Sequence, residues 1–191
     1  WTHKHTIKEN KGYGWFGKSM SASRWYLAVG GLGNRTNNDP PEADDDGAGF
    51  VKLYYLGNDV PTDLDTIYIN NSSTTGNTIT QANLNITNDA TTNTTSNFGA
   101  CVAIDDYNTL VIGEYDSNGN NGKIHVFKFQ GENNGLTPRW LYHASLSLSA
   151  SENNTTYSFF PRYVNVDRDM IIGRGYINEE GKVYTFAATT S

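Results

Sequence analysis

Two short stretches of this 191-residue chain carry oxygen side chains at spacings that suit a hard cation. Asp116, Asn118 and Asn120 alternate with small residues, and Asp44 and Asp46 stand just before Gly47. Carboxylate and amide oxygens of this kind are ligands of calcium, the one cofactor that these residues suggest. Neither stretch is followed by the glutamate of a complete calcium loop. Asp, Asn and Gly also form polar turns, which is the interpretation that the sequence favours.

Pairs of carboxylates occur at two further places, Asp105 with Asp106 and Asp167 with Asp169. A carboxylate pair is the machinery of glycoside hydrolysis. The two pairs stand at equivalent places between strands of a repeated pattern, so we expect them to be tight-turn residues instead. A polysaccharide-active hydrolase or lyase is accordingly the third of three functional hypotheses, and we predict no catalytic residue and a non-enzymatic role.

The other reactive side chains form no recognisable site. His3 and His5 would share one face of a strand, but no third metal ligand accompanies them. Cys101 is the only cysteine, which excludes an internal disulfide, and we expect it to be a small buried side chain. No Ser-His-Asp arrangement, phosphate loop or zinc pattern is present.

The elements that would position any site are repeated. One phrase occurs three times: an FG pair, a short strand, a second strand ending in Gly, and a Gly-led strand ending in an aromatic residue. The copies span residues 15–56, 97–129 and 158–186 of a single domain, 1–191, and residues 70–97 form a polar insertion rich in Asn and Thr. We align the copies on Gly30, Gly113 and Gly173. Repetition of this kind predicts an array of similar units.

Each copy predicts β-strands. The apolar runs at 27–29, 110–112 and 170–172 are short and continuous, which is typical of strands covered on both faces. The Gly-led strands place Val51, Ile124 and Val183 on one face. Strict alternation from Trp140 to Leu148 predicts a half-exposed outer strand. We therefore predict an all-β fold, a β-propeller-like array of about three four-stranded blades, with a β-sandwich as the alternative.

The chain resembles the FG-GAP repeat family, whose units are the blades of integrin-α-like β-propellers. The residues that carry the resemblance are Phe16-Gly17, Phe98-Gly99, the strand-closing glycines and the Gly-led strands. The third copy departs from the pattern, with Phe160-Pro161 in place of Phe-Gly. The resemblance implies a propeller, and related propellers often hold calcium in Asp- and Asn-rich loops.

The two ends of the chain suggest how the array is completed. Trp1, Ile7 and Phe16 are ordered like Trp140, Leu146 and Phe160, so Trp1 is expected to open an outer strand, and the chain ends after the third strand of copy three. The first strand would then complete the last blade. Because three blades are fewer than the four to eight of ordinary propellers, we predict a larger ring or assembly with further blades or copies as partners.

Composition narrows the partners and the location. The net charge of −6, without a basic run, argues against nucleic acid as a partner. No apolar stretch is long enough to span a membrane. We expect an extracellular, cell-surface or virion-surface location, where the following sequons are candidates for N-glycosylation: Asn34, Asn70, Asn71, Asn85, Asn93, Asn153 and Asn154.

The leading functional prediction is a recognition or attachment module that binds a protein or carbohydrate through loops at one rim of the blades. Tyr115 and Tyr176 occupy comparable rim positions and could stack on sugar rings, and Asn34 and Asp39 lie in the loop from Leu32 to Asp46. The alternative is a structural subunit of a virus particle, sheath or extracellular fibre, in which the open ends of the array bind the next chain.

Overall fold

The computed structural model describes residues 2–8, 16–31, 50–56, 62–68, 97–114, 122–130, 139–148, 159–177 and 180–188. These residues form eleven strands and no helix, which confirms the all-β prediction. Within the same ranges no helix is long and apolar enough to span a membrane.

The strands form three antiparallel sheets, one for each copy of the repeat. Sheet 1 contains β1 (Ser19–Ala22), β2 (Tyr26–Gly31), β3 (Phe50–Tyr55) and β4 (Thr62–Tyr68) in chain order. Sheet 2 contains β5 (Cys101–Ile104), β6 (Thr109–Glu114), β7 (Lys123–Gln130) and β8 (Arg139–Ser147). Sheet 3 contains β9 (Phe159–Asp167), β10 (Met170–Ile177) and β11 (Glu180–Ala187).

Sheet 2 lies between the other two, and each of its faces lines a hydrophobic core. The core between sheets 1 and 2 is built from Val51, Leu53, Phe98, Leu110 and Phe127, among others. The core between sheets 2 and 3 is built from Val111, Ile124, Val126, Phe160 and Ile171, among others. Alternate residues of β6 and β7 enter different cores because successive side chains of a strand point to opposite faces. The predicted two-sided burial of 110–112 is confirmed.

The FG pairs of the first two copies form the same turn. Gly17 and Gly99 have left-handed backbone angles, with φ of 85° and 79°, and their amides donate to the carbonyls of Gly30 and Gly113, respectively. A left-handed φ costs glycine little, which explains the residue at this position. Pro161 stands at this position in the third copy, and proline has a fixed negative φ. Pro161 lies within strand β9, after a cis peptide bond.

A β-bulge recurs between the third and fourth strands of sheets 1 and 2. The register shifts between Leu53 and Tyr54 in sheet 1 and between Val126 and Phe127 in sheet 2, which are equivalent positions. In β8 the extra residue reverses the side-chain parity, so Tyr142 contacts the first core and Ala144 the second. The predicted alternation of burial in β8 is present, but the strand contributes to both cores.

The register corrects the alignment of the third copy by one residue. Gly30 pairs with Ser19 and Val51, and Gly113 pairs with Cys101 and Ile124. In sheet 3 the matching pairs are formed by Arg174, which lies opposite Tyr163 and Val183. The predicted equivalence of Gly173 to Gly30 and Gly113 is therefore wrong. Gly173 faces the opposite side of β10, where an added Cβ would contact the Phe160 ring.

Small residues allow the backbones of neighbouring sheets to approach closely. An added Cβ at Gly30 would overlap the carbonyl oxygen of Gly99 in sheet 2's first turn. The Ser19 hydroxyl donates to the same carbonyl over 2.7 Å, and the Cys101 thiol donates over 3.6 Å to the carbonyl of Pro161, the equivalent residue of the next copy. The same contact therefore joins sheet 1 to sheet 2 and sheet 2 to sheet 3.

Sheet 3 differs from the other two sheets in ways that correct two expectations. Its second strand is buried on one face only, since Met170 is exposed and Ile172 is half-buried. Residues 2–8 are not in a strand and do not pair with β11, so the predicted completion of this sheet by the first strand is wrong. Three stacked sheets agree with an array of repeated units, and their arrangement as a propeller stays a prediction.

The close approach of sheets 1 and 2 gives a test. Gly30→Ala should lower the free energy of unfolding by about 1–3 kcal/mol, because the Gly99 backbone cannot move away cheaply. Gly181→Ala on β11 is the matched control, since its Cβ would meet only the Tyr176 ring at 3.9 Å, an ordinary contact. Urea unfolding of both variants measures the difference, and equal stabilities would contradict this packing.

Candidate functional site

We call the face of sheet 3 that points away from sheet 2 the outward face. It carries a group of exposed aromatic, apolar and cationic side chains: Tyr163 on β9, Arg174 and Tyr176 on β10, and Val183 on β11. Tyr163 is 60% exposed, Tyr176 40% and Val183 66%. Apolar side chains gathered at a surface mark interaction sites more often than isolated ones do.

Arg174 lies at the centre of the outward face, between two tyrosine rings. Its guanidinium carbon is 5.4 Å from the centroid of the Tyr163 ring and 5.7 Å from that of Tyr176. A guanidinium at this distance is attracted to the negative face of an aromatic ring. The guanidinium also donates to the Tyr176 hydroxyl over 3.4 Å, a long hydrogen bond. The rings therefore hold the cation in place without neutralising it.

An open depression of about 560 Å³ lies on the same side of sheet 3, toward the β9–β10 turn. Among its lining residues are Asn165, Asp167, Met170, Ile172 and Ala187. These alternate with the core residues of their strands and so share the outward face. The face thus offers an aromatic and cationic half and, beside it, a depression lined by apolar side chains, the Asn165 amide and the charged residues Asp167, Arg168 and Asp169.

The outward face departs from the faces that hold sheets 1 and 2 to their neighbours. Arg174 stands where those sheets have Gly30 and Gly113, and Tyr163 stands where they have Ser19 and Cys101. Small residues at these positions permit backbone contact with the next sheet. An arginine and a tyrosine in the same places fill that space, so the outward face is not shaped for a further sheet packed in the same way.

A second polar cluster joins the turns between the first and second strands of the three sheets. Asp105 is buried, and its Oδ1 accepts hydrogen bonds from the amides of Tyr107 and Thr109 at 2.9 and 2.8 Å. Its Oδ2 accepts from the amide of Arg168 in sheet 3 at 3.0 Å. Both oxygens therefore accept hydrogen bonds from backbone donors, which confirms the predicted turn role of Asp105.

The neighbouring carboxylate of this turn reaches the other way. Asp106 accepts from the amide of Arg24 in sheet 1 over 2.6 Å. On the third turn the Arg168 guanidinium donates to the Tyr107 hydroxyl over 2.8 Å and lies 4.8 Å from the centroid of its ring, and this hydrogen bond raises the pKa of Arg168. Asp105 and Asp106 thus tie the middle turn to the turns on both sides. This cluster has a structural explanation.

One buried pair lies between sheets 1 and 2. The Nε2 atom of His125 contacts a carboxylate oxygen of Glu114 at 2.7 Å, and Phe98 and Tyr142 pack around the ring. The Nδ1 atom of His125 is buried and has no hydrogen-bond partner. The pair belongs to the inner core and is separated by sheet 2 from the outward face.

The other candidate ligands and nucleophiles form no site. The Nε2 atom of His3 contacts the Thr6 hydroxyl at 3.0 Å, and among the described residues no three His, Cys, Asp or Glu side chains are placed to hold a metal. Cys101 is buried, as predicted. Desolvation by this burial raises the pKa of Cys101 to about 12, and hydrogen bonding with the Gly113 backbone acts in the opposite direction.

The predicted binding residues divide into one that the structure describes and others that it does not. Tyr176 lies in strand β10, on the face of a sheet and not on a rim loop, which corrects that expectation. The remaining candidates lie outside the described residues: Tyr115, Asn34 and Asp39 for binding; Asp116, Asn118, Asn120, Asp44 and Asp46 for calcium; and Asn70, Asn71, Asn85, Asn93, Asn153 and Asn154, with Asn34, for glycosylation.

The sequence reasoning missed Tyr163 and Arg174. A comparison of the copies offers the missing signal, since both residues are large where their counterparts are small. The false match of Gly173 to the strand-closing glycines concealed it.

No protein-family model matches the chain, and the searches of curated proteins and of solved structures gave no match. The resemblance to the FG-GAP repeat family rests on the repeated motifs and stays a prediction.

The turn cluster gives a second test. In Asp105→Asn the side chain keeps its shape, but an amide nitrogen can no longer accept from the Arg168 backbone. We expect a loss of about 1 kcal/mol in the free energy of unfolding, because the part-buried Arg168 amide is left without its partner. Asp167→Asn, an exposed carboxylate at the third turn, is the control and should stay within about 0.5 kcal/mol. Denaturant unfolding measures both, and an unaffected Asp105→Asn protein would contradict the assigned role.

The buried thiol predicts a pH dependence. The folded pKa of Cys101, about 12, lies above its ordinary value of 9.0, so the stabilising contribution is complete below pH 9.0 and is lost as the pH rises through the folded value. Stability should therefore fall more steeply above about pH 9 in the parent than in Cys101→Ser, whose hydroxyl does not titrate there. Unfolding curves at a series of pH values measure this, and parallel pH profiles would contradict it.

Proposed function

We propose that the protein is a non-enzymatic recognition or attachment module of a cell, virion or extracellular surface, and that its ligand binds to the outward face of sheet 3. The observation that carries the proposal is the exposed Tyr163–Arg174–Tyr176 group, in which Tyr163 and Arg174 stand where the other two sheets have small residues that are buried or half-buried. Tyrosine and arginine are the residue types that most often dominate the energy of recognition surfaces.

The group is well suited to binding because its parts are held in place before a ligand arrives. The three residues lie on adjacent antiparallel strands, and Arg174 is opposite Tyr163 in the register. The guanidinium contacts both rings, which restricts its rotamers. Less conformational entropy is lost when a preorganised side chain is immobilised, so more of the contact energy appears as affinity.

A structural subunit is the second candidate, and the free face of sheet 3 is the place at which it would bind the next copy. Repetition of the contact between sheets 1 and 2 would require small residues at positions 163 and 174. Tyrosine and arginine at these positions favour a ligand of different shape. Sedimentation velocity of the purified protein separates the two candidate functions, since a structural subunit would show self-association that grows with concentration.

The test of the proposed function is the double variant Tyr163→Ala/Tyr176→Ala. Both rings are exposed, so the variant should fold with the stability of the parent and lose at least about tenfold in affinity for the ligand, because stacking contacts disappear. Binding is measured on a combined glycan and cell-surface protein array. Trp25→Ala, which removes an exposed aromatic ring from sheet 1, is the matched control.

Three outcomes decide the proposal. Binding that is lost in the double variant and kept in Trp25→Ala supports it. Binding that survives in the double variant, or a parent protein that binds nothing on the array while it self-associates, overturns it.

A further inference from the structure

None of the described residues supplies an anionic partner for the Arg174 guanidinium on the outward face. Its described contacts are the two tyrosine rings and one long hydrogen bond to a neutral hydroxyl, and none of the described carboxylates lies within ion-pair distance. A guanidinium carries five N–H donors, so most of them remain available. The chain as a whole has 20 acidic and 14 basic residues, so a cation without an anionic partner is a local exception to its charge balance.

The tyrosines beside Arg174 present their rings to solvent. Tyr163 and Tyr176 are rigid side chains with two rotatable bonds each, and they offer flat apolar area at small entropic cost. The apolar C–H face of a sugar ring packs on such an area, while the sugar's hydroxyl groups remain in water. An exposed aromatic pair on a flat sheet is therefore shaped for a saccharide ring.

We propose that the outward face binds an oligosaccharide that carries uronic acid carboxylates, an inference that rests on the proposed recognition function and names its ligand class. The sugar ring stacks on Tyr163 or Tyr176, and its carboxylate accepts two parallel hydrogen bonds from Arg174. Bidentate pairing of a planar guanidinium with a carboxylate is stronger and more directional than contact with a point charge. The ligand thus supplies an anion that none of the described residues offers to Arg174.

The adjoining depression extends the site along the strands. Ile172 lines it and lies two residues from Arg174 on the same face of β10. The Asn165 amide and the Asp167 carboxylate at its border can hydrogen-bond to the hydroxyl groups of the neighbouring sugar unit. Asp167 would repel a second carboxylate, so the unit in the depression is expected to present hydroxyl groups there.

A saccharide fits this surface better than an acidic peptide does. Peptides are recognised by sheets mainly through an edge strand, and elsewhere through grooves or clusters of arginines. The outward face presents side chains of three paired strands, whereas strand addition would use the outer edges of β9 and β11 and not this face. Arg168 also lines the adjoining depression, but its guanidinium contacts Tyr107 in sheet 2, which leaves Arg174 as the arginine beside the two tyrosines. Flat aromatic area with a single bidentate cation is the chemistry of an acidic sugar.

The experiment uses the whole chain and oligosaccharides of hyaluronan, polygalacturonate and alginate, each compared with its methyl ester by titration calorimetry. The ester keeps the rings and removes the charge. The parent should bind at least one acid form about tenfold or more tightly than its ester, since hydrogen bonds to charged groups are the stronger ones. Arg174→Gln should lose that preference, and Arg174→Lys should recover only part of it.

Lys182→Gln is the matched control, because it removes one positive charge from β11 of the same sheet without touching the tyrosines. Its affinity for the acid form should stay within about twofold of the parent, since isolated surface charges contribute little. Circular dichroism melting checks that the Arg174 variants fold.

The outcomes separate this inference from the proposed function. A preference for the acid form that needs both the tyrosines and Arg174 supports the inference. Binding that needs the tyrosines but is equal for acid and ester, or that favours a sulfated galactan or a glutamate-rich peptide, overturns the inference alone. Binding that needs neither tyrosine overturns the proposed function together with it.

Discussion

The architecture depends on the close approach of adjacent sheets at small residues. Ser19 and Cys101 each donate a hydrogen bond to a backbone carbonyl of the next copy, and Gly30 and Gly113 leave no space for a side chain beside that contact. The short separation brings the apolar faces together and forms the two cores. It also determines whether a further sheet can pack in the same way, because a sheet with large residues at the equivalent positions cannot repeat the contact. Sheet 3 is such a sheet.

The consequence is a division between structural and functional surfaces. Carboxylates in the middle turn accept backbone hydrogen bonds from the turns on both sides, so their charge is used to align the sheets. Tyr163, Arg174 and Tyr176 lie outside both cores, and their side chains are exposed. The exposure of these side chains outside the two cores is the observation on which the proposed binding role rests.

Much of the fold could be predicted from the sequence because strands have a period of two. Val51, Ile124 and Val183 occupy equivalent positions of the three Gly-led strands, as expected, although Val183 is exposed where the other two are buried. Asp105 is a turn residue, as expected. The third-copy register could not be predicted, because Gly173 imitates a strand-closing glycine although it faces the other way. The bulge that reverses the side-chain parity of β8 could not be predicted either, because no glycine or proline marks its position in the sequence. The expected pairing of the first residues with the last sheet is wrong. Such a pairing requires a partner strand that is distant in the sequence, which a local pattern does not identify. Exposure of Tyr163 depends on whether another sheet covers it, which no local pattern encodes.

The exposure of the outward face in solution is the most direct test of the account. Hydroxyl-radical footprinting with mass spectrometry measures the oxidation rate of each aromatic and sulfur-bearing side chain in the dilute, intact protein. The account predicts rapid oxidation of Tyr163, Tyr176 and Met170, and slow oxidation of buried Trp140. Protection of Tyr163 and Tyr176 to the level of Trp140 would mean that another sheet covers the face, and it would contradict the claim that sheet 3 presents a binding surface.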